Sequence, residues 1–144
     1  MLNIAAVNHV GIRVGQKERS IRFYEQLGFA LRADAGFDAG HPVIMEHPSG
    51  VVLNLLGPAD PQSDGNVLMD VAEKHPGITH VALTVESLDD TKRTLAALNV
   101  PITGSFSFGN LSAVFIRDPD RTVIELDAYT DDADDSAHGY EQHP

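Results

Sequence analysis

Three side chains that commonly bind metals stand far apart in the sequence, at positions that an internal repeat makes equivalent. Shifting the chain by 71 residues aligns His9-Val-Gly-Ile-Arg-Val14 with His80-Val-Ala-Leu-Thr-Val85, and Val52-Leu-Asn-Leu55 with Val123-Ile-Glu-Leu126. The shift pairs His9 with His80, and Asn54 with Glu125. Two imidazoles and one carboxylate suit a divalent metal such as Fe, Mn, Ni, Co or Zn. Such a triad leaves coordination positions open for water or substrate, which is typical of catalytic metal sites.

Strand alternation is what would bring these ligands to one surface. Side chains alternate between the two faces of a strand, and the apolar residues of each pattern should pack against a helix. The opposite faces then carry the polar residues, and we expect one shared concavity to receive His9, His80 and Glu125. A single strand histidine is more often a surface or hydrogen-bonded residue. The coincidence of three candidates under the repeat favours the metal site.

The hydrophobic pattern predicts two similar modules, each with the order β-α-β-β-β. Module one covers about residues 7–56, a connector about 57–77, and module two about 78–128, all within one domain at 1–129. Ser87 is the predicted N-cap of the second helix. The remaining residues, 130–144, are acidic and weakly apolar, which predicts a flexible tail.

Composition narrows the classes of function. The chain has 144 residues, a formal net charge of −11 and no cysteine. Nucleic acid and anionic membranes are therefore not expected as partners, because phosphate binding needs a basic surface. Disulfides and cysteine-type zinc sites are excluded. There is no signal peptide pattern and no long apolar run, so the sequence predicts a cytoplasmic protein without a membrane span.

Three segments together resemble a known superfamily. They are His9–Val14, Ser20-Ile-Arg-Phe-Tyr-Glu-Gln-Leu-Gly-Phe29, and Phe115-Ile-Arg-Asp-Pro-Asp-Arg-Thr-Val-Ile-Glu-Leu126. They closely resemble the vicinal-oxygen-chelate superfamily, which includes glyoxalase I, extradiol dioxygenases, fosfomycin-resistance transferases and bleomycin resistance proteins. The resemblance covers about residues 7–128. It implies an α+β fold in which two tandem βαβββ modules form an open, barrel-like metal-binding cavity, frequently within a homodimer.

The resemblance also assigns roles to individual residues. The four ligand positions of the superfamily fall at His9, Asn54, His80 and Glu125, so His9, His80 and Glu125 are the expected metal ligands and Glu125 the catalytic residue. Relatives with four ligands usually have Glu or Gln where Asn54 stands. Asn54 is therefore expected to bind substrate or a metal-bound water, and glyoxalase I activity itself is not expected. Arg13 resembles an arginine that binds the glutathione carboxylate, although a surface arginine is the alternative.

These observations predict a divalent-metal-dependent lyase or isomerase of glyoxalase type, acting on a small substrate that chelates the metal through vicinal oxygens. An Fe(II) extradiol ring-cleaving dioxygenase is one alternative, and the three-ligand triad favours it. A non-catalytic resistance protein that binds a drug or metabolite is another, and a fosfomycin transferase is a further rival. Several other residues have weaker or structural interpretations. His47 is interpreted as a turn residue, His138 and His143 as inert, and three residues as pocket or core: Met45, Phe106 and Phe108.

Overall fold

The computed structural model of the chain describes residues 1–63, 65–130 and 138–144, and it divides into two compact units, Met1–Asp64 and Gly65–Pro144. The first unit contains β1 (Val10–Arg13), α1 (Lys17–Gln26), β2 (Ala30–Asp34), a short 3-10 helix (Phe37–Ala39), β3 (Val43–Glu46) and β4 (Val52–Leu56). The second contains β5 (His80–Thr84), α2 (Leu88–Ala97), β6 (Gly104–Phe108), β7 (Leu111–Arg117), β8 (Val123–Tyr129) and β9 (His138–Gln142).

Each unit is built on one open sheet. The strand order is β1-β4-β3-β2 in the first unit and β5-β8-β7-β6-β9 in the second. The pairs β1–β4 and β5–β8 are parallel, and the other neighbours are antiparallel. Both sheets keep two edge strands, so neither closes into a barrel by itself. The predicted α+β class and the paired βαβββ modules are confirmed.

The repeat seen in the sequence holds at the level of strand register. Gly11 pairs with Asn54 across β1 and β4, and their counterparts 71 residues later, Ala82 and Glu125, pair across β5 and β8. The bounds of α1 and α2 are related by the same shift. The structure therefore supports the alignment on which the site prediction depends.

Backbone conformation follows the same repeat. A positive φ occurs at Gly28 (96°) and at its counterpart Asn99 (56°), and again at Gly50 (92°) and its counterpart Arg121 (66°). These left-handed positions are tolerated best by glycine and next by asparagine. Both units thus end the helix and turn between the last two strands of the repeat in the same way.

The turn role predicted for His47 is confirmed. His47 Nδ1 accepts a hydrogen bond from the backbone N–H of Ser49 at 3.1 Å. In the second unit, Asp118 Oδ1 accepts from the backbone N–H of Asp120 at 2.9 Å. Since these pairs are related by the repeat, His47 stabilises a tight turn. The predicted N-cap is also observed, because Ser87 Oγ accepts from the backbone N–H of Asp90.

The core of each unit lies between its helix and one face of its sheet, where apolar side chains are removed from water. Met45 is fully buried and so belongs to the core rather than to a pocket. The first unit buries Ile12, Val14, Phe23, Tyr24, Phe29, Val43, Leu53 and Leu55, and the second buries Leu95, Val100, Val114, Ile116, Ile124 and Leu126.

Two segments differ from the sequence prediction. The first strand begins at Val10, so His9 precedes it as an exposed residue. Part of the predicted flexible tail forms β9, because the exposed edge of β6 offers backbone groups that a further strand can satisfy. The part of the tail at 131–137 lies outside the described residues. Within the described part of the chain, no helix is long and apolar enough to cross a membrane.

Candidate metal and substrate site

Two of the three predicted ligands are in direct contact within the second unit. His80 opens β5, and Glu125 is the third residue of β8, which runs parallel to β5. The register places both side chains on the sheet face that α2 does not cover. His80 Nε2 lies 2.9 Å from Glu125 Oε2, and the side chains are 37% and 13% exposed, respectively. The pair is partly shielded from water, yet the histidine remains accessible to a small molecule.

Both predicted histidine ligands have a hydrogen-bond partner on the preceding residue. His80 Nδ1 lies 2.8 Å from Thr79 Oγ1, and His9 Nδ1 lies 2.7 Å from Asn8 Oδ1. The two pairs are related by the 71-residue repeat. A partner at one ring nitrogen orients a histidine and directs its other nitrogen to a metal. This arrangement favours Nε2 as the metal-binding atom of each residue.

The substrate-binding candidates lie in the first unit. Asn54 is half-buried in the middle of β4, between Gly11 and Ile44. Its counterpart Glu125 lies between Ala82 and Phe115. Arg13 is exposed at the end of β1. The structure therefore gives Asn54 the same strand position as Glu125, while its side chain is a neutral amide.

The complete triad is not gathered in the structure. Across residues 1–63, 65–130 and 138–144, no group of three or more His, Cys, Asp or Glu side chains lies close enough together to hold a metal ion. His80 and Glu125 are in contact, whereas His9 belongs to the first compact unit. The three-ligand site accordingly stays a prediction.

Two aromatic side chains lie beyond the His80–Glu125 pair on other strands of the same sheet. Phe115 lies opposite Glu125 on β7, and its ring is 6.1 Å from the His80 ring, edge to face. Tyr140 of β9 follows, with its ring 5.4 Å from that of Phe115. Neither residue is among those for which the sequence predicts a role in the site. Phe115 could have been found from its strand position, but nothing in the sequence pattern predicts a strand around Tyr140.

A buried carboxylate stands two residues after Glu125 on the same strand. Asp127 is only 8% exposed, and its Oδ1 has no hydrogen-bond partner among the described residues. Alternation along β8 places Asp127 on the same face as Glu125. An unpaired buried polar atom costs about 1–3 kcal/mol. Asp127 is therefore a group that a bound donor could satisfy.

An ion-pair network holds the turn that leads into β8. Asp70 accepts a hydrogen bond from Arg121 Nε at 2.6 Å and forms an ion pair with Arg117 at 3.1 Å. The pKa of Asp70 lies well below its ordinary value. The largest cause is the hydrogen bond from Arg121, and the backbone N–H of Asn66 and the charges of the two arginines lower the pKa further. The connector is thereby fixed to the start of the strand that carries Glu125.

Solved structures with the same fold are known. The chain is similar to a glyoxylase/bleomycin resistance protein/dioxygenase domain from Frankia sp. EAN1pec, with a TM-score of 0.70, 20% identity, and coverage of 90% of this chain and 95% of that one. The chain is also similar to the fosfomycin resistance protein FosX from Listeria monocytogenes, with a TM-score of 0.65, 15% identity, and coverage of 89% of this chain and 96% of that one. A third similar structure is the antibiotic binding protein TnmS3 from Streptomyces sp. CB03234, with a TM-score of 0.65, 20% identity, and coverage of 90% of this chain and 100% of that one.

A search among curated proteins found no match. A family model described as the Glyoxalase/Bleomycin resistance protein/Dioxygenase superfamily matches residues 6–126, which is most of the chain. The paired modules, their common register and the fold of the solved relatives agree with this match. The chain therefore belongs to the glyoxalase/bleomycin resistance protein/dioxygenase superfamily.

Proposed function

We propose that this chain is a divalent-metal-dependent enzyme that acts on a small substrate with two adjacent oxygens, as a lyase or isomerase of glyoxalase type. The observation that carries the proposal is the contact between His80 and Glu125, with the histidine oriented by Thr79. The same orientation recurs at the repeat-related His9. An imidazole oriented in this way beside a carboxylate is a donor pair suited to a transition metal.

The donor chemistry fits a metal held by His9, His80 and Glu125. Nitrogen from two imidazoles and oxygen from one carboxylate match the ligands preferred by Fe, Mn, Ni, Co and Zn. His9 would come from the first unit of this chain or from that of a second copy. Bound there, the metal would polarise the substrate oxygens and lower the energy of negative charge that develops on them.

The protein side chains have complementary tasks in this proposal. Glu125 binds the metal and, as a carboxylate, can accept a substrate proton at Oε2. Asn54 donates a hydrogen bond through its amide but cannot accept a proton as a base, so glyoxalase I activity is not part of the proposal. Arg13 binds an anionic group of the substrate. Asp127 Oδ1 accepts from a substrate donor, which would satisfy its unpaired buried oxygen.

A non-catalytic binding protein is the second candidate. It is favoured by the aromatic side chains beside His80, because an exposed ring such as that of Tyr140 can bind a planar molecule without catalysing a reaction. The Streptomyces relative of the same fold is an antibiotic binding protein. An Fe(II) ring-cleaving dioxygenase has the same donor set as the proposed enzyme, so turnover assays must separate them. The cytoplasmic location and the homodimer remain predictions, although superfamily members often form dimers.

The test begins with metal analysis of the purified protein, followed by titration of metal into the metal-free form. We expect one metal ion per chain, and its loss in the His9→Ala, His80→Ala and Glu125→Gln variants. Mixing the His9→Ala and Glu125→Gln proteins would restore binding if two subunits share each site. The loaded protein is then assayed with a hemithioacetal, with a catechol in the presence of dioxygen, and with fosfomycin. Full metal binding by all three variants would refute the proposed site.

A further inference from the structure

All aromatic residues of the second unit lie on the sheet face that carries Glu125. The register aligns Glu125 with Phe115 and Phe115 with Gly104, and alternation places the other rings on the same side. The helix-facing side of this sheet is packed with aliphatic residues instead. The aromatic set consists of Phe106, Phe108, Phe115, Tyr129 and Tyr140.

The position of Tyr140 depends on the absence of a side chain at Gly104. A Cβ at Gly104 would lie 2.7 Å from Tyr140 Cε2 and 2.8 Å from its hydroxyl oxygen. Gly104 stands on β6, between β9 and β7, so the tyrosine crosses above it to reach the Phe115 ring. The β9 strand thus extends the row of rings that starts at His80 toward the edge of the sheet.

The row of rings has one polar end and one apolar end. His80 and Glu125 form the polar end, and Phe115 with Tyr140 form the apolar end. Tyr140 is 58% exposed even though it packs on Phe115, so part of its ring is available to a ligand. Asp127, a carboxylate on the same face that is not among the proposed metal ligands, would repel an anionic ring. The face therefore suits an uncharged planar molecule.

We propose that the ring of Tyr140, held edge to face against Phe115 at an interplanar angle of 73°, forms a stacking platform that selects substrates with a planar, uncharged aromatic ring system next to their vicinal oxygens. This inference rests on the proposed function, since the vicinal oxygens would be bound beside His80 and Glu125. The platform is a specificity-determining surface, and Tyr140 is a substrate-contacting residue on it. Substrates that carry the two oxygens without a ring system bind without its contribution.

Two probes separate ring recognition from oxygen chelation. The first, 2,3-dihydroxynaphthalene, combines a planar ring system with vicinal oxygens. The second, acetohydroxamic acid, has two adjacent oxygens and only a methyl group. Their dissociation constants are measured by calorimetry on the metal-loaded protein. We expect Tyr140→Leu, which keeps bulk above Gly104, to weaken 2,3-dihydroxynaphthalene binding about tenfold and to leave acetohydroxamic acid binding unchanged.

Two further variants serve as matched controls. Tyr140→Phe keeps the ring, so the affinity for 2,3-dihydroxynaphthalene should stay within about twofold of the original protein. Phe108→Ala removes a ring from the same face, but Phe108 lies at the far end of β6 and is 65% exposed. It should likewise change the affinity by less than about twofold. An unchanged affinity in Tyr140→Leu, or an equal loss for both probes, would overturn the proposal.

If the proposed metal site does not exist, acetohydroxamic acid will not bind even to the original protein. This result distinguishes an error in the proposed metal site from an error in the proposed platform. The platform is then tested in metal-free protein with 2-naphthol, which has the ring system but only one oxygen. Weaker 2-naphthol binding in Tyr140→Leu than in Tyr140→Phe would support the platform. Equal binding by the two variants would overturn it, whatever the state of the metal site.

Discussion

Replacing Glu125 with glutamine should separate the metal-binding role of this side chain from its structural role. Without metal, the glutamine carbonyl can still accept a hydrogen bond from His80, so the free energy of unfolding should change by no more than about 1 kcal/mol. With metal, the substitution removes a charged ligand. Losing even an outer partner of a ligand costs 10–100-fold in metal affinity, so we expect at least about a 100-fold loss here.

The expected loss of metal affinity can be measured as a smaller metal-induced rise in melting temperature. A metal present at 100 times its dissociation constant stabilises the folded state by about 2.7 kcal/mol, and a 100-fold weaker site gains only about 0.4 kcal/mol. For a chain of this size, about 1 kcal/mol corresponds to roughly 4 °C. The original protein should therefore gain about 10 °C and Glu125→Gln about 2 °C in a scanning calorimetry experiment.

The control for this experiment is Glu25→Gln, which neutralises an exposed carboxylate on α1. It should show the same metal-induced shift as the original protein, because it changes the net charge without touching the candidate site. If Glu125→Gln also kept the full shift, Glu125 would not be a ligand. Loss of the shift in both variants would mean that the metal responds to net charge rather than to a specific site.

Three further predictions concern the repeat, the connector and the assembly. Gly28→Ala should destabilise the protein by about 2 kcal/mol in chemical denaturation, because it adds a Cβ at φ 96° and 3.1 Å from His47 Nε2, whereas Asn99→Gly at φ 56° should be neutral or slightly stabilising. The lowered pKa of Asp70 contributes stability that is present above its unfolded value near 3.9 and is lost as pH falls toward the folded pKa. Denaturation midpoints should therefore fall less between pH 5 and pH 2 in Asp70→Asn than in the original protein. Light scattering should show a homodimer at micromolar concentration, and a monomer would refute that prediction.

Much of the fold could be predicted because local patterns and tertiary structure agree. Apolar alternation identified the strands, and the exact repeat fixed which strands correspond, so the register of Asn54 and Glu125 followed. The strand β9 could not be predicted in this way. Its sequence has no apolar alternation, and it forms because the edge of β6 provides backbone partners. Tyr140 was missed for the same reason.

The candidate site was predictable where it depends on one sheet and not where it depends on two units. His80 and Glu125 lie on neighbouring strands of one sheet, so alternation and register were sufficient to place them together. His9 precedes the strand on which it was predicted, and it belongs to the other unit. Periodicity carries no information on how separate units share ligands.

The two units differ in side-chain chemistry at three positions that the repeat makes equivalent. Glu125, Phe115 and Asp127 of the second unit correspond to Asn54, Ile44 and Leu56 of the first. At each of these positions the second unit has a carboxylate or an aromatic ring where the first has a neutral amide or an aliphatic side chain. The aromatic residues of the first unit lie in its core instead, as in Phe23, Tyr24, Phe29 and Phe37. The strands pair in the same register in both units, so the strand pairing itself does not depend on which of these side chains is present. Their position on one face of the second sheet is accounted for by the binding role proposed for Glu125 and Tyr140.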